Sequence, residues 1–202
     1  MEVTISTKTE CDSPVLAQCF GWHLGRAQDI LWAVGFSLLT GLLAQWEFRL
    51  PYSPVPLTGQ TFAVLLSGAL LGSRRGFQSQ MLYLAQGAAG LPVFAGGAGS
   101  MAHLLGPSGG YLWSFPLAAA VIGWLVERGA SRRIVPLAGS LFLADALILL
   151  GGVTWLSLFF HVPIGHAVHL GFFPFLAGDV AKIVFIGLSL PQLIKVAGKQ
   201  HK

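Results

Sequence analysis

The sequence predicts an all-α integral membrane protein in which six transmembrane helices form a compact bundle with irregular outer loops rich in proline and glycine. Three observations predict this fold. Of the 202 residues, 54% are hydrophobic and only 10% are charged, whereas a soluble domain carries roughly 25% charged residues. Six apolar runs follow one another along the chain, and most basic residues stand between the runs. A water-soluble fold is excluded, because such a fold needs a charged outer face.

The length limits what else the chain can contain. A membrane helix takes about 20 residues, so six spans and their loops leave no room for a second folded domain. The chain has no G-x-x-x-x-G-K-[ST] run to hold nucleotide phosphates, and no basic cluster interleaved with aromatic residues. We therefore expect neither an ATP-hydrolysing module nor a nucleic-acid partner, and we expect no cofactor.

The elements follow in order along the chain. Residues 1–26 are mixed polar and lack the features of a signal peptide, so we interpret them as an N-terminal arm. The arm contains both cysteines, Cys11 and Cys19, without a metal-binding or C-x-x-C spacing. Residues 27–202 form the predicted membrane domain, with apolar runs at about 30–46, 56–72, 76–94, 111–126, 134–159 and 170–194. Its abundant glycine and alanine favour close helix packing in lipid.

The basic residues predict the orientation. Nine of the twelve Lys and Arg residues flank the runs on one side, and only Arg49 lies on the other. By the positive-inside rule the crowded side is cytoplasmic. Both termini are therefore expected in the cytoplasm, with the protein in the plasma membrane.

Two outer loops are rich in proline and glycine, which do not propagate helix. Residues 50–56 fit either an ordinary tight turn or a loop near a binding site. Residues 91–110 contain no charged side chain. Because long loops of this kind are often lids, we expect this segment to form a partly buried cap over a pocket.

Charged side chains within the apolar runs are the strongest functional signal, because each is costly in a membrane. Asp179 and Lys182 are three residues apart, so they share one helix face and can neutralise each other. The pair fits either a structural ion pair or a polar site facing a cavity, and we favour the site. Asp145 has no evident partner in the sequence. It is either neutral or paired with a residue of another helix, and the sequence leaves both open.

Uncharged polar and aromatic residues near the outer side add candidate contacts. Gln60 and Gln86 lie close to the outer loops. Phe94 and Tyr111 belong to a group of aromatic residues on the same side, which fit either interfacial anchors or a wall around a ring-shaped ligand.

One motif suggests an enzyme. Residues 106–110 fit G-x-S-x-G, and a G-x-S-G serine is also typical of six-span intramembrane proteases. Ser108 would need a histidine base, for which His161, His166 and His169 are the candidates. The surrounding proline and glycines argue against serine catalysis, and we expect no metal site at these histidines.

Small residues recur at Ala33, Ser37 and Gly41, four residues apart in the first run. They form a groove that suits another helix. Either a helix of this chain or a separate membrane subunit fits the groove.

Four segments together resemble the BioY family, the biotin-binding membrane subunits of energy-coupling-factor transporters. Residues 53–66 (SPVPLTGQTFAVLL) resemble the P-V-P-x-T-x-Q-T stretch, and residues 83–95 (YLAQGAAGLPVFA) are similar to Y-L-x-x-G-x-x-G-L-P-V-F-A. Residues 106–112 (GPSGGYL) match G-P-T-G-G-Y-L with Ser for Thr. Residues 174–182 (PFLAGDVAK) resemble P-F-x-P-G-D-x-x-K, with Ala177 for the second proline. The likeness covers about residues 53–188.

The resemblance implies a subunit that captures biotin near the outer surface, without catalytic activity of its own. It also implies that Asp179 and Lys182 contact biotin, whose ureido group offers two N–H donors and one carbonyl acceptor. Further expected contacts come from two glutamines, two aromatic rings and a pair of glycine amides: Gln60, Gln86, Phe94, Tyr111, Gly109 and Gly110. The implied partners are a membrane coupling subunit and two ABC-type ATPases, or a second copy of the chain if it acts alone. Another vitamin as ligand and an intramembrane serine protease using Ser108 are the alternatives.

Overall fold

The computed structural model describes residues 26–199 of the chain. The predicted N-terminal arm lies outside the described residues, except for residue 26, where the first helix begins. In chain order the elements are α1 (Arg26–Ala44), β1 (Glu47–Phe48), β2 (Leu57–Thr58), α2 (Gln60–Leu71), α3 (Ser73–Ala88), α4 (Met101–Leu104), α5 (Gly109–Glu127), α6 (Ile134–Phe160), α7 (Ile164–Gly171) and α8 (Phe173–Lys199).

The all-α prediction is confirmed, and each predicted apolar run contains a helix. Extended structure in the described range is limited to β1 and β2, which pair antiparallel with Glu47 opposite Thr58. Residues 49–56 connect these two strands. The first outer loop is therefore the turn of a small hairpin.

Fewer helices than the six predicted spans are long and apolar enough to cross a membrane. Among the described residues three helices are long and apolar enough to cross a membrane: Ala27–Ala44 within α1, α5 and α6. A fourth is counted if segments Ile164–Leu176 and Gly178–Leu190, which meet at 41°, form one broken span. Helix α2 has only 12 residues, or about 18 Å at 1.5 Å per residue, which is short of the roughly 30 Å hydrocarbon core. Six spans therefore stay a prediction.

Glycine allows α2, α3 and α5 to approach closely. A Cβ on Gly68 in α2 would overlap the backbone carbonyl of Ala119 in α5, and a Cβ on Gly123 in α5 would overlap the start of α3. Between α2 and α3, Gly72 has a φ of +84°, a conformation that side chains other than glycine rarely adopt. The chain can therefore reverse within one residue and place the two helices side by side.

The core lies around α5, which packs against α2, α3 and α6. Its fully buried side chains include Leu65, Tyr83, Phe115, Ile122, Leu141, Ile148 and Leu156. Large apolar side chains also cover the outside, where Leu42, Phe142, Leu150 and Phe185 are 60–64% exposed. Soluble monomers rarely expose apolar surface on this scale, whereas lipid solvates it.

The small-residue groove of α1 is filled by this chain at two of its three positions. Ser37 is fully buried, and a Cβ on Gly41 would lie 3.2 Å from the Cβ of Val93 in the second outer loop. Packing within the chain therefore accounts for Ser37 and Gly41.

Candidate ligand-binding site

A cavity lies between the outer loops and helices α2, α5, α6 and α8. Its lining combines two charged side chains, several hydroxyl and amide groups, and a larger apolar wall: Val55, Pro56, Thr58, Gln60, Thr61, Ala95, His103, Ser108, Tyr111, Leu112, Phe115, Ile148, Leu149, Phe175, Asp179 and Lys182. Small-molecule sites are typically lined mostly by apolar groups, with a few polar groups that orient the ligand. The cavity fits that description.

Asp179 and Lys182 form an ion pair on the wall of this cavity. Lys182 Nζ lies 3.0 Å from Asp179 Oδ1, and the two side chains are only 17% and 3% exposed. The i, i+3 spacing in α8 brings both groups to one face, as predicted. The bend between Leu176 and Gly178 immediately precedes Asp179. A charged pair with so little access to water needs further hydrogen bonds to be stable.

The hairpin and α2 supply those hydrogen bonds. Lys182 Nζ donates to the carbonyl of Thr58 at 3.0 Å and to Thr61 Oγ1 at 2.6 Å. The hydroxyl of Thr61 lies 3.4 Å from Asp179 Oδ1, to which it donates. The three hydrogens of the ammonium therefore all have protein acceptors.

Asp179 keeps an acceptor available. Its Oδ2 atom is buried and accepts no hydrogen bond from the described residues. A buried carboxylate oxygen without a donor is costly, so a ligand that brings an N–H or O–H group here gains a strong charge-assisted hydrogen bond. The polar end of the cavity is thus set up to receive a hydrogen-bond donor.

Aromatic rings form part of the apolar wall. Tyr111 and Phe175 stack with ring centroids 5.6 Å apart, and both are nearly buried. The Tyr111 hydroxyl donates to the carbonyl of Gly171 at 2.6 Å, so its polar atom is satisfied within the protein. The ring face is therefore available for packing against a flat or cyclic apolar group.

Three residues of the second outer loop, Ala95, His103 and Ser108, contribute to the lining of the cavity. Ser108 Oγ lies 3.4 Å from His103 Nε2, and the His103 ring stacks on fully buried Phe94 at 5.1 Å. Burial lowers the pKa of His103 below its usual value. Trp155 Nε1 fastens this loop to α6 by donating to the carbonyl of Gly106 at 2.8 Å.

The structure brings four of the eight predicted contact residues to the cavity, namely Asp179, Lys182, Gln60 and Tyr111. The other four lie outside the lining: Phe94, Gln86, Gly109 and Gly110. Phe94 supports His103 from behind. A Cβ on Gly109 would overlap the carbonyl of Leu104, and one on Gly110 would overlap Trp155, so both glycines serve helix packing. The Oε1 atom of Gln86 is buried without a hydrogen-bond donor among the described residues.

Sequence reasoning did not single out Thr61, His103 or Phe175. Thr61 and Phe175 stand inside quoted motifs, but Thr61 meets a lysine 121 residues further along the chain. No local spacing indicates such a contact. His103 lies between two motifs, and only its polar ring within an uncharged loop could have indicated a role in the site.

The histidines proposed as bases do not meet Ser108. His161, His166 and His169 are exposed, and Ser108 contacts His103 instead. Among the described residues there is no group of three or more His, Cys, Asp or Glu placed to hold a metal ion.

Span-length apolar helices with an apolar exterior, arranged around a cavity that holds an ion pair, define an integral membrane protein of the helical-bundle type. The chain belongs to the BioY family, whose profile matches residues 12–199. A probable biotin transporter BioY of Pyrococcus horikoshii is 40% identical over 157 residues, which are 78% of this chain and 90% of that protein. The biotin transporter BioY of Thermotoga maritima is 40% identical over 152 residues, which are 73% and 85% of the two chains.

The fold also has a counterpart among solved structures. It is similar to the S-component for biotin from an ECF-type ABC transporter, with a TM-score of 0.77 over 85% of this chain and 95% of the other. At 24% identity this likeness concerns the fold alone.

Proposed function

We propose that the chain takes part in biotin uptake as the membrane subunit that binds the vitamin on the outer side. The observation that carries this proposal is the Asp179, Lys182 and Thr61 cluster, which is buried on the wall of a mostly apolar cavity. Relatives named as biotin transporters support the ligand. The same relatives support a transport role for the chain rather than an enzymatic one.

The chemistry of biotin fits the two ends of the cavity. A ureido N–H can donate to Asp179 Oδ2, which has no donor of its own. Lys182 compensates the charge of that carboxylate and holds it in place, and Gln60 offers an amide to the remaining ureido atoms. Tyr111 and Phe175 present ring faces to the sulfur-containing ring. A site built on buried hydrogen bonds rejects ligands that lack the matching group.

The four predicted residues outside the lining would act indirectly. Phe94 packs against His103, which lines the cavity, and Gly109 and Gly110 let α5 approach its neighbours. Gln86 lies in α3, outside the lining of the cavity. We therefore expect substitutions of these residues to affect binding less than substitutions of Asp179 or Lys182.

The energy for import would come from other subunits. We infer partnership with a membrane coupling subunit and two ABC-type ATPases, with self-association as the alternative for a solitary protein. The likeness to an S-component supports the first arrangement. We also infer placement in the plasma membrane, and the excess of Lys and Arg on one side supports cytoplasmic placement of both termini.

Equilibrium binding of radiolabelled biotin to the purified protein tests the ligand. Saturable binding that unlabelled biotin displaces, and that thiamin and riboflavin do not, is the expected result. Desthiobiotin keeps the ureido group and lacks the sulfur, so it should compete more weakly than biotin. Absence of saturable biotin binding, together with saturable binding of radiolabelled thiamin or riboflavin, would assign a different vitamin to the same cavity.

A further inference from the structure

A second, smaller cavity lies between α6 and α8, directly beside the ligand cavity. Leu149 and Asp179 line both cavities. The remaining lining is apolar apart from Asp145 in the middle of α6, which is only 3% exposed. Asp145 belongs to none of the four motifs that resemble the family, and the function proposed above does not use it.

Two carboxylate oxygens at this cavity lack hydrogen-bond donors. They are Asp145 Oδ1 and Asp179 Oδ2, which are both buried and accept no hydrogen bond from the described residues. Native proteins rarely leave buried polar atoms without partners. One hydrogen shared between these two atoms would satisfy both of them.

The charges lead to the same conclusion. The titratable groups lining the two cavities are Asp145, Asp179, Lys182, Tyr111 and His103. Lys182 is paired with Asp179 at 3.0 Å, and the hydroxyl of Tyr111 already donates to a backbone carbonyl. If Asp145 were ionised as well, two carboxylates would face one ammonium inside a membrane span. An uncompensated charge at that depth is strongly unfavourable, and neighbouring carboxylates avoid it by retaining a proton.

We propose that Asp145 is a protonated carboxylic acid that donates a hydrogen bond to Asp179 Oδ2 and so fixes the carboxylate facing the ligand. A single proton then supplies the interaction that both oxygens lack. A carboxylate oxygen can accept two hydrogen bonds, so Asp179 Oδ2 can receive Asp145 and a ligand N–H together. Asp145 is a positioning residue, because it acts through Asp179. Its effect on biotin affinity rests on the proposed function, whereas the proton itself does not.

Two substitutions of similar size separate the roles of Asp145. Asp145→Asn keeps a neutral group that can donate to Asp179, and Asp145→Leu removes the donor. We expect Asp145→Leu to weaken biotin binding by about tenfold, the effect of losing one hydrogen bond to a charged group, and Asp145→Asn to restore most of that loss. Ser140→Ala is the matched control on α6, because Ser140 is buried and bonds only to its own helix.

The pH dependence gives a second readout. Raising the pH removes the proton from Asp145 and sets two carboxylates against each other, so the affinity of the wild-type protein should fall at a lower pH than the affinity of Asp145→Asn. An Asn variant as weak as the Leu variant would overturn the proposal, because it would mean that Asp145 acts as an acceptor or an anion. Wild-type affinity in the Leu variant would also overturn it.

Infrared spectroscopy tests the proton without any ligand. The carbonyl stretch of a protonated carboxylic acid should be present in the wild-type protein at neutral pH and absent from Asp145→Asn. Identical spectra in this region would refute the proposal even if biotin binds. If the wild-type protein binds no biotin and the band is present, the proposed function fails and the protonated Asp145 stands.

Discussion

Removing the hydroxyl of Thr61 tests how the ion pair is held. Thr61→Val preserves the shape of the side chain but takes an acceptor from Lys182 at 2.6 Å and a donor from Asp179 at 3.4 Å. Hydrogen bonds to charged groups contribute about 1.5–3 kcal/mol each. Lys182 keeps the Thr58 carbonyl and Asp179 as acceptors, so we take the lower limit. Since about 1.4 kcal/mol corresponds to a tenfold change, biotin affinity should fall by up to about tenfold, the limit that applies when the whole loss falls on the bound state.

Titration calorimetry of the purified variants measures this change directly. Thr61→Ser is the matched control, because it keeps the hydroxyl and should remain within about threefold of wild type, less than one hydrogen bond. Both variants should elute as the wild-type protein does in size-exclusion chromatography. Unchanged affinity in Thr61→Val would refute the idea that Thr61 orients the carboxylate. Tighter binding would mean that the released hydrogen of Lys182 is used by the ligand.

Three further predictions concern packing, pH and the aromatic wall. Gly68→Ala should destabilise the protein by about 1–3 kcal/mol through overpacking against Ala119. Gly139→Ala is the control, because its added Cβ would have no neighbouring atom within 4 Å, and it should not lower the melting temperature. Burial lowers the pKa of His103 in the folded state, so the unfolded chain takes up its proton first as the pH falls. The melting temperature should therefore decrease below about pH 6.5, and less so in His103→Gln. Tyr111→Phe should cost about 1–3 kcal/mol of stability, because it leaves a buried carbonyl without its donor. Biotin affinity should change less than threefold, because the ring remains. A large loss of affinity would show that the hydroxyl contacts the ligand.

The helical fold was predictable because lipid leaves few choices for the backbone. Every N–H and C=O in the bilayer core must bond within the chain, so apolar runs become helices. The Asp179 and Lys182 pair was predictable for the same reason, since charges within apolar runs are rare and an i, i+3 spacing fixes their relative position. These inferences need only local sequence and the properties of the solvent.

The remaining parts of the site depend on contacts between distant segments. Thr61 reaches Lys182 because the hairpin of β1 and β2 directs the start of α2 toward α8, and no local pattern contains that approach. The motif containing Gly109 and Gly110 indicated a binding loop, yet the structure uses both glycines for close helix packing. The number of spans could not be determined from the apolar runs alone. A short helix such as α2 and a bent pair of segments each give an apolar run in the sequence, as a full membrane span does.

Biotin binding by Asp179→Asn and Lys182→Ala tests the central claim most directly. Asp179→Asn replaces the charged acceptor offered to the ligand, and Lys182→Ala removes the ammonium that holds this carboxylate in place. Because a hydrogen bond to a charged group contributes about 1.5–3 kcal/mol, an equilibrium binding assay on purified, correctly folded variants should show affinity reduced by at least about tenfold. Affinity equal to that of the wild-type protein in both variants would contradict the claim that this ion pair forms the ligand site.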